Sequence, residues 1–312
     1  MDCQYRTDLG KRAANYQPLT PLTFLERAAE VYPHHPAIIH GNRNWSYKSF
    51  YDRARQLASS LRKHGVRSGD TVSAMLANTP AMLEAHFGVP MSGGVLHSLN
   101  TRLDAAAVAL QLHHAMTKVL IVDREFSDIV RAAVEQVPIK PLVVDYNDSE
   151  YSNLGPPLSD IDYNDFVASG DLEFQWQAPV DEWSAISLNY TSGSTGVPKG
   201  VVYHHRGAAL MCYSNVLAVG MVRHPVYLWT LPMFHCNGWC FPWTLSLVGG
   251  THVCLRWVRG QIVRDLIEKH NVTHLCGAPA VMSVLADAST DDVSRPHPGV
   301  RFAHAAAPPP QA

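Results

Sequence analysis

No stretch of this sequence stays apolar long enough to cross a membrane as a helix. The opening residues, Met1-Asp2-Cys3-Gln4-Tyr5-Arg6, lack the apolar core of a secretion signal. Charge of one sign is also lacking. The chain has 25 Lys and Arg against 27 Asp and Glu, a net charge of −2, so it carries no basic excess suited to nucleic acid. The six cysteines, at positions 3, 212, 236, 240, 254 and 276, form no C-x-x-C pair. They read as reduced thiols filling a core, which predicts a cytoplasmic protein. Seventeen histidines include the doublets His34-His35, His113-His114 and His204-His205, but no H-E-x-x-H. Neighbouring side chains on a helix or strand point apart, so a doublet rarely grips one ion, and no metal site is expected. The P-loop pattern G-x-x-x-x-G-K-[ST] is missing as well.

What is present is an alternation of helical and extended periodicity. Thr23 to Val31, Lys48 to His64, Pro80 to Met91, Asp104 to Ala115 and Asp128 to Gln136 read as helices. In the second, Phe50, Ala54, Leu57, Ala58 and Leu61 recur at helical spacing, and Gly65 suits its exit. Thr79 or Asn78 is expected to cap the third. Short apolar strands fall between them at 37–40, 71–76, 118–122 and 141–144, and again near 226–229, 251–255 and 272–276. Strands separated by helices at this interval predict an α/β fold with mostly parallel sheets flanked by helices. Two α/β subdomains are expected, roughly 20–180 and 181–312.

Between Trp183 and Tyr203 the pattern changes. A strand-like run enters the segment Tyr190-Thr191-Ser192-Gly193-Ser194-Thr195-Gly196-Val197-Pro198-Lys199-Gly200, and a second strand leaves it. The segment therefore reads as a hairpin loop. The hydroxyls of Thr191, Ser192, Ser194 and Thr195 can donate to phosphate oxygens. Gly193 and Gly196 let backbone N–H groups come close, and Lys199 adds a point charge. A solvated Ser/Gly linker is the plain alternative, but linkers are not flanked by apolar strands. A second candidate is Leu231-Pro232-Met233-Phe234-His235-Cys236-Asn237-Gly238-Trp239, which follows a strand and places His235 where open α/β sheets hold ligands. On the residues alone, a lone His among aromatics more often belongs to the core.

The eleven residues Tyr190 to Gly200 resemble the signature loop of the adenylate-forming, AMP-binding acyl-CoA synthetase family. The likeness extends from about Leu22 to Pro310 through Glu84 to Met91, Leu99 to Asp104 and Pro232 to Trp239. In wording it is most like the short- and medium-chain acyl-CoA ligases. The resemblance implies the large N-terminal domain of that fold and a two-step reaction. An acid and ATP give an acyl-adenylate, and CoA then gives a thioester, with Mg²⁺ assisting. It implies that Thr191, Ser192, Gly193, Ser194, Thr195, Gly196 and Lys199 hold phosphates. Phe234, His235, Asn237, Gly238 and Trp239 would hold the acid, with Lys199 and His235 as the catalytic candidates. Ala306, Ala307 and Pro308 match a nucleotide-side loop in which Gly is usual at position 306; a disordered Pro-rich tail is the other reading there. Family motifs beyond that loop, including a distal catalytic Lys, an Mg²⁺-assisting Glu and a ribose-holding Asp, are not in the sequence. The chain is accordingly expected to be a partial AMP-binding domain, inactive alone and prone to homo-oligomerise. The alternatives are a non-catalytic nucleotide- or acid-binding fragment, or a non-functional truncated product.

Overall fold

Residues 47 to 63 show how the sequence builds the interior. Helix α2 (Tyr47–Lys63) starts at Ser46, whose Oγ accepts from Ser49 N at 3.2 Å. It buries Phe50, Ala54, Leu57, Ala58 and Leu61, the stripe that its spacing predicts. Gly65 follows at φ +86°, a conformation glycine adopts without strain. Against α2 packs α3 (Pro80–Met91), all twelve residues of which are buried. A helix buried on every side must be surrounded, and its one carboxylate, Glu84, is met by Arg53 and Tyr163. Gly88 makes the close approach possible, since a Cβ there would lie 2.8 Å from Leu57 Cδ2 and 2.9 Å from Ala54 O.

The structure, a computed structural model, describes residues 9–191, 198–286 and 299–304. The remaining elements are α1 (Leu22–Val31), β1 (Pro36–His40), β2 (Arg43–Ser46), β3 (Thr71–Met75), β4 (Val95–Ser98), α4 (Ala105–His114), β5 (Thr117–Asp123), α5 (Ser127–Gln136), β6 (Leu142–Tyr146) and α6 (Tyr163–Ala168). They continue as β7 (Ala185–Thr191), β8 (Lys199–His204), α7 (His205–Val219), β9 (Val226–Leu228), the one-turn α8 (Cys236–Trp239), α9 (Phe241–Val248), β10 (Thr251–Val253), α10 (Gly260–His270), β11 (His274–Gly277), α11 (Pro279–Ala286) and β12 (Arg301–His304).

Among the described residues two six-stranded sheets form, in the orders β12-β11-β9-β10-β1-β2 and β6-β5-β3-β4-β7-β8. Every pairing is parallel except the edge hairpins β1–β2 and β7–β8. The α2–α3 pair lies between the sheets, with α2 against β1 and β2 and α3 against β3 and β4. The α/β expectation is met. The expected division near residue 181 does not coincide with a sheet boundary. Ile38 and Ile39 of β1 pair with His252 and Val253, while β7 and β8 complete the other sheet beside β4. Parallel partners need long crossovers, so neighbours in a sheet need not be neighbours in the chain.

Candidate functional site

The hairpin expected around the signature segment is present. β7 and β8 pair antiparallel, with Tyr190 opposite Gly200 and Thr191 opposite Lys199. Thr191 and Lys199 are both exposed at its open end. Ser192, Gly193, Ser194, Thr195 and Gly196 lie outside the described residues, as do Ala306, Ala307 and Pro308. The base of the hairpin is fixed from below. Tyr190 Oη and His114 Nδ1 lie 2.6 Å apart, and the His97 ring sits 5.1 Å from the Tyr190 ring. His97 Nδ1 contacts Ser73 Oγ at 2.8 Å, and Ser73 Oγ reaches Thr117 Oγ1 at 2.7 Å. Burial holds the His97 imidazole well below its ordinary value, at about 4, so it is neutral here.

The second sequence candidate, Leu231 to Trp239, is stitched to both sheets by asparagines and a serine. Asn78 follows β3. Its Nδ2 donates to Trp229 O and Leu231 O, both at 3.0 Å, and its Oδ1 accepts from Met233 N at 2.8 Å. Neither expected cap of α3 forms a side-chain cap. Thr79 occupies the position without a side-chain capping bond, its Oγ1 donating to Ala77 O at 3.3 Å, and the Asn78 amide crosses to the other sheet instead. Asn189, two residues before Thr191, accepts from Asn237 N at 3.1 Å and from Ser98 Oγ at 3.3 Å. Ser98 Oγ also lies 3.1 Å from Phe234 O. The hairpin and the 234–239 segment therefore meet at Asn189, at the C-terminal ends of strands where α/β sheets place ligands.

The segment has an unusual backbone. Cys236, Asn237, Gly238, Trp239 and Cys240 have φ of 45°, 43°, 53°, 53° and 63°. For a non-glycine residue this costs roughly 1–2 kcal/mol, and such strain gathers at functional sites. Neighbouring groups hold the turn. Gly238 N donates to His235 O at 2.8 Å, and Cys240 N donates to Asn237 O at 3.0 Å. Asn215 Nδ2 of α7 donates to Trp239 O at 2.8 Å, and Thr244 Oγ1 donates to Cys240 O at 2.8 Å. At Gly238 a Cβ would lie 2.9 Å from the Trp229 ring.

This turn decides which side chains reach the cavity behind the hairpin. The cavity, about 360 Å³, is lined by Val202, Tyr203, His204, Gly207, Ala208, Met211, Cys236, Trp239 and Cys240. Of the acid-binding candidates, Trp239 lines it. Phe234 packs half-buried against the core, and Gly238 is buried against Trp229. Asn237 is fully buried, with neither amide atom bonded. His235 is exposed, with Nε2 3.9 Å from Cys236 Sγ. That neighbour raises the His235 imidazole above its ordinary value, and the same hydrogen bond lowers the Cys236 thiol. Two groups of the cavity wall move upward: burial raises the Tyr203 phenol and pushes the Cys240 thiol up to about 12. Among the described residues no group of three or more His, Cys, Asp or Glu is placed to hold a metal.

Sequence reasoning missed Asn78, Ser98 and Asn189. The available signal was a polar residue in, or just past, the C-terminal end of an apolar strand. Replacing Asn78 with alanine removes three bonds to buried backbone groups. The expected loss of stability is roughly 2–4 kcal/mol, because an orphaned buried group costs about 1–3 kcal/mol. Urea unfolding followed by tryptophan fluorescence measures it, and a loss below about 1 kcal/mol would contradict the bridging role.

The comparisons with known proteins agree with this geometry. The chain is 46% identical to acetate/butyrate–CoA ligase AAE7, peroxisomal, of Arabidopsis thaliana, over 97% of this chain and 56% of the relative. It is 42% identical to acetate–CoA ligase CCL3 of Humulus lupulus, again over 97% of this chain and 56% of the relative. The chain thus spans a little over half the length of these curated relatives. Among solved structures, the N-terminal domain of FACL13 from Mycobacterium tuberculosis superposes with a TM-score of 0.81 at 22% identity, covering 94% of this chain and 71% of that one. The anthranilate CoA ligase AuaEII, solved with anthranoyl-AMP, superposes with a TM-score of 0.77 at 22% identity, covering 88% of this chain and 52% of that one. A family profile described as AMP-binding enzyme matches residues 25–312, and the chain belongs to that family.

Proposed function

We propose that this chain carries the acid-activating site of an ATP-dependent acid–CoA ligase that takes small apolar carboxylic acids. The observation that carries the reading is the apolar cavity, lined by Val202, Met211 and Trp239, directly behind a hairpin that ends in Thr191 and Lys199. Acetate and butyrate in the name of the Arabidopsis relative support a short aliphatic acid. In the first step the carboxylate, ionised at neutral pH, attacks the α-phosphate of ATP, forming acyl-adenylate and releasing pyrophosphate. In the second, the CoA thiol attacks the acyl carbonyl and AMP leaves. Thr191 and Lys199, both exposed and in register across the hairpin, are placed to bind phosphate oxygens as hydroxyl donor and cation. Trp239 shapes the acid's berth, and His235 at its mouth orients the carboxylate. ATP brings Mg²⁺ as its counter-ion, and the described residues gather no carboxylate cluster for the metal. Unpaired thiols at the five described cysteines suit a reducing compartment, the cytosol among them.

Two substitutions separate the halves of the site. Lys199→Ala should weaken ATP binding about tenfold or more, since a charge-assisted hydrogen bond is worth about 1.5–3 kcal/mol. It should leave butyrate affinity within twofold. Trp239→Ala should do the reverse. Calorimetric titration of each variant with ATP and with butyrate reads both. Unchanged ATP affinity in Lys199→Ala would remove the phosphate role.

A further inference from the structure

We propose that Cys236 is a covalent modification site for soft electrophiles that carry an apolar tail, chiefly α,β-unsaturated carbonyl compounds, with His235 as its proton partner. Three observations combine. Cys236 lines the apolar cavity together with Val202, Ala208, Met211 and Trp239, so a tail has a berth beside the thiol. His235 Nε2 stands 3.9 Å from Cys236 Sγ, close enough to exchange its proton. The left-handed turn of 236–240 carries Cys236 at the cavity wall.

Cys240 shares the cavity wall and the turn but is buried, and the other described cysteines do not line the cavity. Cys212, Cys240, Cys254 and Cys276 are buried, and burial raises all four thiols, Cys240 to about 12 and Cys276 to about 11. Cys236 is half-buried and its thiol is lowered, first by the hydrogen bond with His235. The titratable and charged groups facing the pair are Tyr203 from β8, Cys240 from the same turn, and Arg102 from the segment after β4, which opposes the charging of His235. The thiolate is the reactive form.

The step balances without another reagent. The Cys236 thiol gives its proton to His235 Nε2. The thiolate sulfur forms a bond to the β-carbon of the electrophile, and the carbon–carbon π pair moves to the enolate. The α-carbon then takes the proton back from the imidazolium, so the net change is addition of S–H across the double bond. Acid activation is not needed for this chemistry, and its readout is the adduct itself.

N-ethylmaleimide and N-hexylmaleimide are the probes, with peptide mass mapping and rates normalised to a free small thiol in the same buffer. Cys236 should be labelled at least tenfold faster than any other cysteine, and Cys236→Ser should lose that adduct. The hexyl compound should react at least fivefold faster than the ethyl one at this position. Met211→Trp, a change at a part-exposed cavity residue, should erase that advantage. His235→Gln should slow labelling at about pH 7 at least fivefold and leave it within twofold at about pH 9.5, where the thiol ionises unaided. Labelling spread evenly over the cysteines, or equal normalised rates for the two maleimides in the unmodified protein, would overturn the proposal. So would a His235→Gln rate unchanged at both pH values.

Discussion

Replacing Arg256 with methionine should lower the stability of this protein by about 3–5 kcal/mol, the cost of breaking a buried ion pair from one side. Arg256 follows β10 in one sheet and is almost wholly buried. Its Nη1 donates to Asp123 Oδ2 at 2.8 Å and to Asp148 Oδ2 at 2.6 Å, and its Nη2 pairs with Glu125. Asp123 ends β5 and Asp148 follows β6, both in the other sheet. His40, the last residue of β1, adds Nε2 at 2.9 Å from Asp148 Oδ2, and the Tyr151 ring lies 4.3 Å from the guanidinium. One guanidinium thus ties the sheets together and neutralises carboxylates that water does not reach. Burial alone would raise the Asp148 carboxyl; the His40 hydrogen bond, the Glu150 N–H and the Arg256 charge outweigh it and hold it at about 2. Without Arg256 those carboxylates are buried and short of a partner. The double change Arg256→Met with Asp123→Asn should recover at least about 1 kcal/mol of the loss, because it removes an orphaned charge. Urea midpoints for the single and double variants test this. A single variant within about 1 kcal/mol of the parent would show that the cluster is not what joins the sheets.

That joint marks the border between what the residues disclose and what they withhold. Helix α3 was legible to its bounds, because Pro80 suits a first turn and the run to Met91 is mostly apolar, broken only by Glu84 and His86. The register of α2 was legible from five apolar positions at helical spacing. The hairpin β7–β8 was legible because both strands flank one loop. Strands β2 and β4 were not, since β2 reads Arg-Asn-Trp-Ser with no apolar run and β4 has only Val95 and Leu96 before the polar His97 and Ser98. Nor was the partition of strands between sheets. The pairing of Ile38 with His252 bridges more than two hundred positions, and periodicity encodes which face is buried, not which strand lies beside it.

The site divides in the same way. Thr191, Lys199, His235 and Trp239 stood out by residue type and by family wording. Asn78 was visible only as a local cap, because a side chain that caps and one that crosses to another sheet look alike in sequence. The left-handed turn at 236–240 could not be foreseen, since only one of its five residues is glycine. Its consequence is that Cys236 and Cys240 line the cavity, whereas Phe234, Asn237 and Gly238 are not among its lining residues.

Acid should unfold this protein well above the pH at which its carboxylates titrate. His86, His97, His205 and His252 are buried, and burial holds the first three imidazoles at about 4 and the last at about 3. In the unfolded chain each returns to about 6.5. Between about pH 6.5 and 4 the unfolded state therefore binds more protons than the folded one, and stability falls as pH falls through that window. At about pH 5.5 each histidine favours unfolding by roughly 1 kcal/mol relative to pH 7.5, on the order of 5 kcal/mol for the four. That is comparable to the whole stability of many domains, about 5–15 kcal/mol. The depressed Asp148 carboxyl acts in a separate window. Its contribution is intact above about pH 4 and is lost only on the way down to 2, so it cannot account for a transition near pH 5.5. Urea-derived stabilities at about pH 7.5 and 5.5 should differ by several kcal/mol, and His86→Gln should shrink that difference by roughly 1 kcal/mol. The gap should persist at high salt, because it arises from desolvation and not from surface charge. Stabilities that agree within about 1 kcal/mol at the two pH values would mean that these imidazoles are not held neutral by the core.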